Sequence, residues 1–222
     1  MHSATAEFVT TTLLIVGGIF PIVNPVGNAP LFLTMTRGVS SEHRGVLARM
    51  IAFNGLILLL ASILVGTHIL AFFGISLPVV QVAGGLVLMV TGWKLLQSED
   101  DGGESESANS PCDDIDYRRK AFYPLTLPLT VGPGSISVAI TLGANRHEGE
   151  QWSWGLLAGI VVGATAIAVA IYLSYRFADK LASALGETAM NVFIRLSSFI
   201  LMCIGVQIAW NGVKALLHEV VR

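Results

Sequence analysis

The sequence predicts an all-α integral membrane protein: six transmembrane helices in an inverted 3+3 repeat, with a broken first helix in each half. Three observations carry that prediction. Of the 222 residues, 53% are hydrophobic and only 13% are charged, against about a quarter charged in a typical soluble domain. Apolar runs of bilayer-spanning length recur along the whole chain. Two of those runs carry the same proline and glycine interruptions at matching places.

A helix that crosses the hydrocarbon core needs about 20 apolar residues. Six segments qualify, approximately 8–36, 46–72, 77–97, 120–145, 152–176 and 188–214. The runs are continuous and lack a period of two, which points to helices rather than a barrel. The first begins within MHSATAEFVTTTLLIV, where only His2 and Glu7 stand in place of the Lys or Arg that open a secretory signal. It is therefore expected to be a retained span.

Basic residues set the expected orientation. Arg37, Arg44, Arg49, Lys94, Arg118, Arg119, Lys120, Arg176 and Lys180 fall on one side, and Arg146, Lys214 and Arg222 on the side of the amino terminus. The richer side is expected in the cytoplasm, which leaves both termini outside. Trp93, Trp152 and Trp154 stand at span ends, where indole rings anchor to the interface.

Between the third and fourth spans lies QSEDDGGESESANSPCDDIDY, residues 97–117. Its acidic, Ser- and Gly-rich composition cannot bury a core, so a flexible cytoplasmic linker is expected over 98–117. It divides the chain into a first repeat, 1–97, and a second, 118–222. The first span of each half has the same interruption: Phe20-Pro21, Pro25, Gly27 and Pro30 in one, and Tyr123-Pro124, Pro128, Gly132 and Pro133 in the other. The last spans match weakly, Leu88–Gly92 against Leu201–Gly205. Three spans per half make the second enter the membrane from the opposite side. Such repeats place a binding site near the midplane between discontinuous helices and allow alternating access.

Prolines so placed should break a helix. The freed backbone groups cannot face lipid and must line a cavity or meet a ligand. Half-helices beginning near Asn28 and Gly134 would present amides and a positive dipole end to an anion. One ending near Phe20 would present carbonyls to an ammonium group. Together they suit a small zwitterion such as an amino acid. The candidate binding residues are Asn24, Pro25, Gly27 and Asn28 from the first break, with Thr126, Thr130, Gly132, Gly134 and Ser135 from the second. Their expected roles are backbone and side-chain hydrogen bonds to the solute. The competing view is that the prolines merely kink two packed helices.

Arg195 is the one charged side chain well inside a span, where it either orients or gates the solute or snorkels to the headgroups. Gln81, its approximate counterpart in the other half, and Gln207 are further gating candidates. With Asn54, they also read as glue between helices. His68 reads as interfacial. Gly155, Gly159 and Gly163 recur every fourth residue and form a close-packing face, within one subunit or between subunits of a homo-oligomer.

Several functions are disfavoured. A net charge of −2 offers no basic field to nucleic acid. Cys112 and Cys203 form neither a disulfide framework nor a metal cluster, and no cofactor motif is present. No nucleophile–base or HExxH signature supports a membrane hydrolase, so no enzyme is expected. No carboxylate lies deep in a span, which leaves proton coupling unsupported. Proton and sodium coupling both stay open.

The chain resembles the MarC family of bacterial and archaeal membrane proteins, also called the small neutral amino acid transporter family. Matching segments are Asn24-Pro25 with Leu31-Phe32-Leu33, Gly74-Ile75-Ser76 with Ala83-Gly84-Gly85, and Pro124 through Gly134. Arg195-Leu196, Gly205-Val206-Gln207 and Asn211-Gly212-Val213 complete the set. The resemblance implies six spans in two inverted halves, an inner-membrane location, and transport of glycine, alanine or serine. It departs at Gln81, where the family usually has Arg. The alternatives are export of other small molecules, drugs included, and a non-transporting membrane scaffold or regulator.

Overall fold

A computed structural model of the chain describes residues 2–36, 38–97, 119, 121–144 and 153–220. The acidic segment 98–117 lies outside these residues, as do Arg37, Arg118, Lys120, Arg146, Trp152 and Arg222. The described residues form eight helical pieces: α1 (His2–Val23), α2 (Pro25–Met35), α3 (Ser41–Phe72), α4 (Leu77–Gln97), α5 (Ala121–Thr130), α6 (Pro133–Ala144), α7 (Trp154–Arg176) and α8 (Ala178–Val220).

Five stretches are long and apolar enough to cross a membrane: Ala4–Leu33, Ser41–Phe72, Leu77–Gln97, Trp154–Arg176 and Ile194–His218. They fall on five of the six expected spans. The sixth, expected over 120–145, is two short pieces, α5 and α6. Pro124, Pro128 and Pro133 each remove a backbone donor there, so one continuous ladder cannot form.

Outward-facing positions are apolar, among them Leu13, Phe53, Val65, Val162 and Phe199. That surface matches a lipid solvent, in which only the backbone needs internal partners. The interior is built from Ile15, Ile19, Val23, Phe32, Leu59, Ile63, Val131, Ile167 and Ile171, all nearly inaccessible.

Small residues set how closely the helices approach. α1 runs along α7, and the predicted glycine face serves this contact within the chain. A Cβ on Gly155 would fall 2.6 Å from the Ala4 carbonyl, and one on Gly159 2.9 Å from that of Phe8. α3 packs on α6, where a Cβ on Gly143 would fall 2.1 Å from the Ile63 carbonyl. α4 and α8 lie antiparallel with their backbones touching: Gly85 faces Gly205 and Ala209, and Gly92 faces Ser198 and Met202. Each half thus packs its interrupted unit against the middle helix of the other half. α8 turns sharply at Gly186 (φ 72, ψ 165), backbone angles essentially restricted to glycine. Two polar contacts tie helix ends together: Arg44 on α3 pairs with Asp179 on α8, and Ser153, the cap of α7, donates to Glu7 on α1 at 2.6 Å.

Candidate functional site

The first interruption differs in detail from the one expected. α1 continues through Pro21 to Val23, three residues past Phe20. The chain breaks at Asn24, which holds a left-handed φ of 43, a conformation that Asn tolerates better than most residues. Pro25 then opens α2 at the first helical position, where its missing N–H costs nothing. The half-helix therefore begins at Pro25, earlier than Asn28. The Asn24 side-chain carbonyl accepts from the Gly27 amide at 3.2 Å, an N-cap. A Cβ on Gly27 would lie 2.2 Å from Asn24 Nδ2, so glycine is what lets the cap fold over. The carbonyl end of α1 is also occupied: the Asn28 side-chain amide donates to Val23 O at 2.9 Å. The expected free amides and carbonyls of this break are thus met largely from within the chain.

The second interruption follows from its prolines. Tyr123 (φ −127, ψ 124) and Leu127 (φ −110, ψ 126) are extended, as residues before proline prefer to be. The remaining turns are wide, with Val131 N donating to Thr126 O at 2.9 Å. Threonine hydroxyls supply donors that the prolines lack: Thr126 Oγ1 donates to Ala121 O at 2.6 Å and Thr130 Oγ1 lies 2.7 Å from Leu125 O. Thr130 also meets the buried Tyr175 hydroxyl at 2.8 Å, and the Tyr175 ring stacks on Phe32 at 4.6 Å. α6 begins at Pro133. Its Ser135 hydroxyl donates to Gly132 O at 2.9 Å. The amides of Gly132, Gly134 and Ser135 have no partner among the described residues. They form an uncapped helix N-terminus, which favours negative charge.

Asn28 joins the two breaks. Besides Val23 O, its Nδ2 donates to Leu129 O at 3.1 Å. Beside this junction lies a cavity of about 270 Å³. Its polar lining is Asn28, Thr91, Thr130, Gly132, Gly134 and Ser135, and most of the rest is apolar, including Leu31, Met35, Leu88, Leu95, Leu129 and Leu201. Among the described residues, none that lines it is titratable. The cavity reaches Met35, Leu95 and Pro124, which lie toward the ends of α2, α4 and α5 that lead to segments 36–40 and 98–120. At the other end α6 packs on α4: Ser137 Oγ donates to Val80 O at 2.9 Å, and Gln81 Nε2 donates to Thr141 Oγ1 at 3.4 Å.

Five of the nine binding candidates, Asn28, Thr130, Gly132, Gly134 and Ser135, meet in this cavity. Asn24, Pro25, Gly27 and Thr126 do not line it. The Asn24 side-chain oxygen is taken by the Gly27 amide, and Thr126 is fully buried with Ala121 and Asn54 as partners. Of the gating candidates, Gln81 bridges α4 and α6, and Gln207 is exposed with Asn211 as its partner. Arg195 is exposed, one residue into the span Ile194–His218. Sequence reasoning missed Tyr175, whose place beside Arg176 at a helix end gives no sign of burial. It also passed over Leu88 and Leu201 as wall residues, although both stand in the weakly matching segments of the last spans.

Comparison with known proteins gives a consistent family. The family model described as MarC family integral membrane protein matches residues 8–217. The chain is 29% identical to the UPF0056 membrane protein YvbG of Bacillus subtilis over 198 residues, covering 89% of this chain and 92% of that protein. It is 28% identical to the UPF0056 inner membrane protein MarC of Salmonella typhimurium over 203 residues, covering 90% and 92%. No solved structure matches.

Proposed function

The chain belongs to the MarC family of integral membrane proteins, and on that premise we propose that it is a secondary transporter of small neutral amino acids, working by alternating access in an inner membrane. The observation that carries the reading is the cavity at the junction of the two breaks. Its concentrated polar feature among the described residues is the N-terminus of α6, where the amides of Gly132, Gly134 and Ser135 have no partner among those residues. A carboxylate fits there, because oriented amides and the helix dipole both favour an anion. The Asn28 side-chain oxygen, whose amide nitrogen is already committed to two carbonyls, offers an acceptor to the ammonium end. With no titratable group among the described lining residues, a solute of zero net charge leaves no uncompensated charge among them.

Size supports the same reading. A volume of about 270 Å³ lies below the range of roughly 300–1,000 Å³ usual for drug-sized ligands. A non-transporting scaffold has no need of unmet amides beside a cavity. The inverted repeat is part of the proposal. Its support is the shared spacing of Pro21, Pro25 and Pro30 with Pro124, Pro128 and Pro133, together with the crossed packing of the two halves. Both termini would then lie outside and the linker in the cytoplasm. Coupling to protons or sodium, and assembly into homo-oligomers, are compatible extensions.

The test is uptake of radiolabelled glycine, alanine and serine into proteoliposomes, with and without imposed proton or sodium gradients. Saturable uptake above empty liposomes is expected, and its gradient dependence identifies the coupling ion. Folded protein that moves none of the three under any gradient would overturn the substrate assignment.

A further inference from the structure

The cavity and a small apolar cluster beside it occupy equivalent places in the two halves. Ile22, Leu88 and Leu201 form that cluster, with Leu95, Val138, Ile204 and Ile208 packed against it. Aligning the repeats on their shared prolines pairs Met35 with Val138. Aligning the last spans on Leu88-Met89 and Leu201-Met202 pairs Leu88 with Leu201, Thr91 with Ile204 and Leu95 with Ile208. The members from the first half, Met35, Thr91 and Leu95, line the open cavity. Their partners, Val138, Ile204 and Ile208, pack on the cluster, as Leu95 also does, but line no part of the cavity.

The same pairing holds in the backbone. Gly85 faces Gly205, and Gly92 faces Ser198. Exchanging the halves turns the first contact into the second. α4 and α8 therefore cross at a point about which the two halves are equivalent, and Leu88 and Leu201 sit beside it. Since α4 and α8 run antiparallel, Thr91 and Leu95 lead from that point toward the linker end, and Ile204 and Ile208 lead toward the opposite end.

We infer that the structure is the linker-side-open state of the carrier, and that Val138, Ile204 and Ile208 line a second vestibule that opens on the opposite side when Ile22, Leu88 and Leu201 part. The inference rests on the transport reading and adds the missing half of the route. In the present state, contacts between α4 and α6 hold the second vestibule shut. These are the seat of Ser137 against Gly84, Ser137 donating to Val80 O, and Gln81 bonded to Thr141. Opening requires α6 to move away from α4 at that end. The half-buried Gln81–Thr141 contact is one long hydrogen bond, and no ion pair joins α4 to α6 among the described residues. Narrow apolar contacts hold a gate closed by excluding water, so parting three aliphatic side chains wets the route in one step.

The test is thiol accessibility in oriented vesicles. Single cysteines replace Thr91, Leu95, Val138, Ile204 or Ile208 in a chain carrying Cys112→Ser and Cys203→Ser. A membrane-impermeant maleimide is applied from either side, with and without alanine. A cysteine facing lipid or a packed core does not react, because the thiolate requires water. Expected are T91C and L95C labelled from the linker side only, and V138C, I204C and I208C labelled from the opposite side only, with alanine changing the ratio of the two sets. All five are labelled after denaturation, which checks that the thiols are present. The inference is overturned if the second set stays unlabelled from both sides while alanine is taken up. It is equally overturned if that set is labelled from the linker side. Labelling of both sets from their own sides, without uptake of any amino acid, upholds the vestibule and removes only the amino acid assignment.

Discussion

Asn28 on α2 donates through its side-chain amide to the carbonyl of Leu129 on α5, 3.1 Å away and 101 residues along the chain. The same nitrogen donates to Val23 O at the end of α1 at 2.9 Å. One side chain therefore meets backbone groups from both helix breaks, and it does so on the wall of the cavity.

Loss of that junction should be costly. Asn28→Ala leaves two carbonyls unmet, each worth about 1–3 kcal/mol when buried. Asn28→Asp keeps the shape but replaces the donor with an acceptor, and should cost at least as much. Thermal unfolding in detergent checks both. Midpoints equal to the parent would mean that water or lipid takes over both carbonyls.

The Thr130–Tyr175 pair gives an ordered prediction. Thr130→Val strands the buried Tyr175 hydroxyl, whereas Tyr175→Phe removes that hydroxyl and leaves Thr130 bonded to Leu125 O. Thr130→Val should therefore destabilise more, by about 1–3 kcal/mol against about 1 for Tyr175→Phe. In the double variant the two costs should fall short of adding, the mark of a direct contact. Reversal of the order would place the Tyr175 hydroxyl elsewhere.

Glycines at the two contacts of α4 should differ in tolerance. A Cβ on Gly85 meets backbone, Ala209 N at 2.5 Å and Gly205 O at 2.6 Å, whereas one on Gly134 meets only the Leu88 side chain. Gly134→Ala should cost about 1–3 kcal/mol, the usual penalty of overpacking, and it should cost less than that in a chain that already carries Leu88→Ala. Gly85→Ala has no such rescue. Melting curves of the three variants separate these cases.

If the α6 N-terminus holds the solute carboxylate, the charge must matter more than the shape. Alaninamide should compete for alanine uptake at least about tenfold more weakly than alanine does, corresponding to about 1.4 kcal/mol, within reach of a charge-assisted hydrogen bond. Equal competition would move the carboxylate away from Gly134 and Ser135.

Arg195 is exposed and lines no part of the cavity. Arg195→Gln should change stability by no more than about 0.5 kcal/mol, as surface substitutions usually do, with half-maximal uptake concentrations unchanged. A large shift in either would restore the gating role that its position in the sequence predicted.

Composition and hydropathy, read alone, established a helical membrane protein, because lipid demands long apolar runs whatever their packing. The matched prolines also located both interruptions, since proline removes a donor wherever it stands. Local rules went further than the breaks themselves: Tyr123 and Leu127 are extended because proline follows each. What they could not supply was which freed groups would find partners. That depended on Asn24 and Asn28, whose side chains satisfy the first break from within, and on the meeting of Asn28 with Leu129, a contact between distant residues. Tertiary packing left the amides at the start of α6 unmet and brought Leu88 over Gly134. It also set the cavity on one side of the Leu88–Leu201 contact, with apolar closure on the other. Patterns within a segment record its own hydrogen-bonding needs, whereas the partner that meets them is chosen only when helices pack.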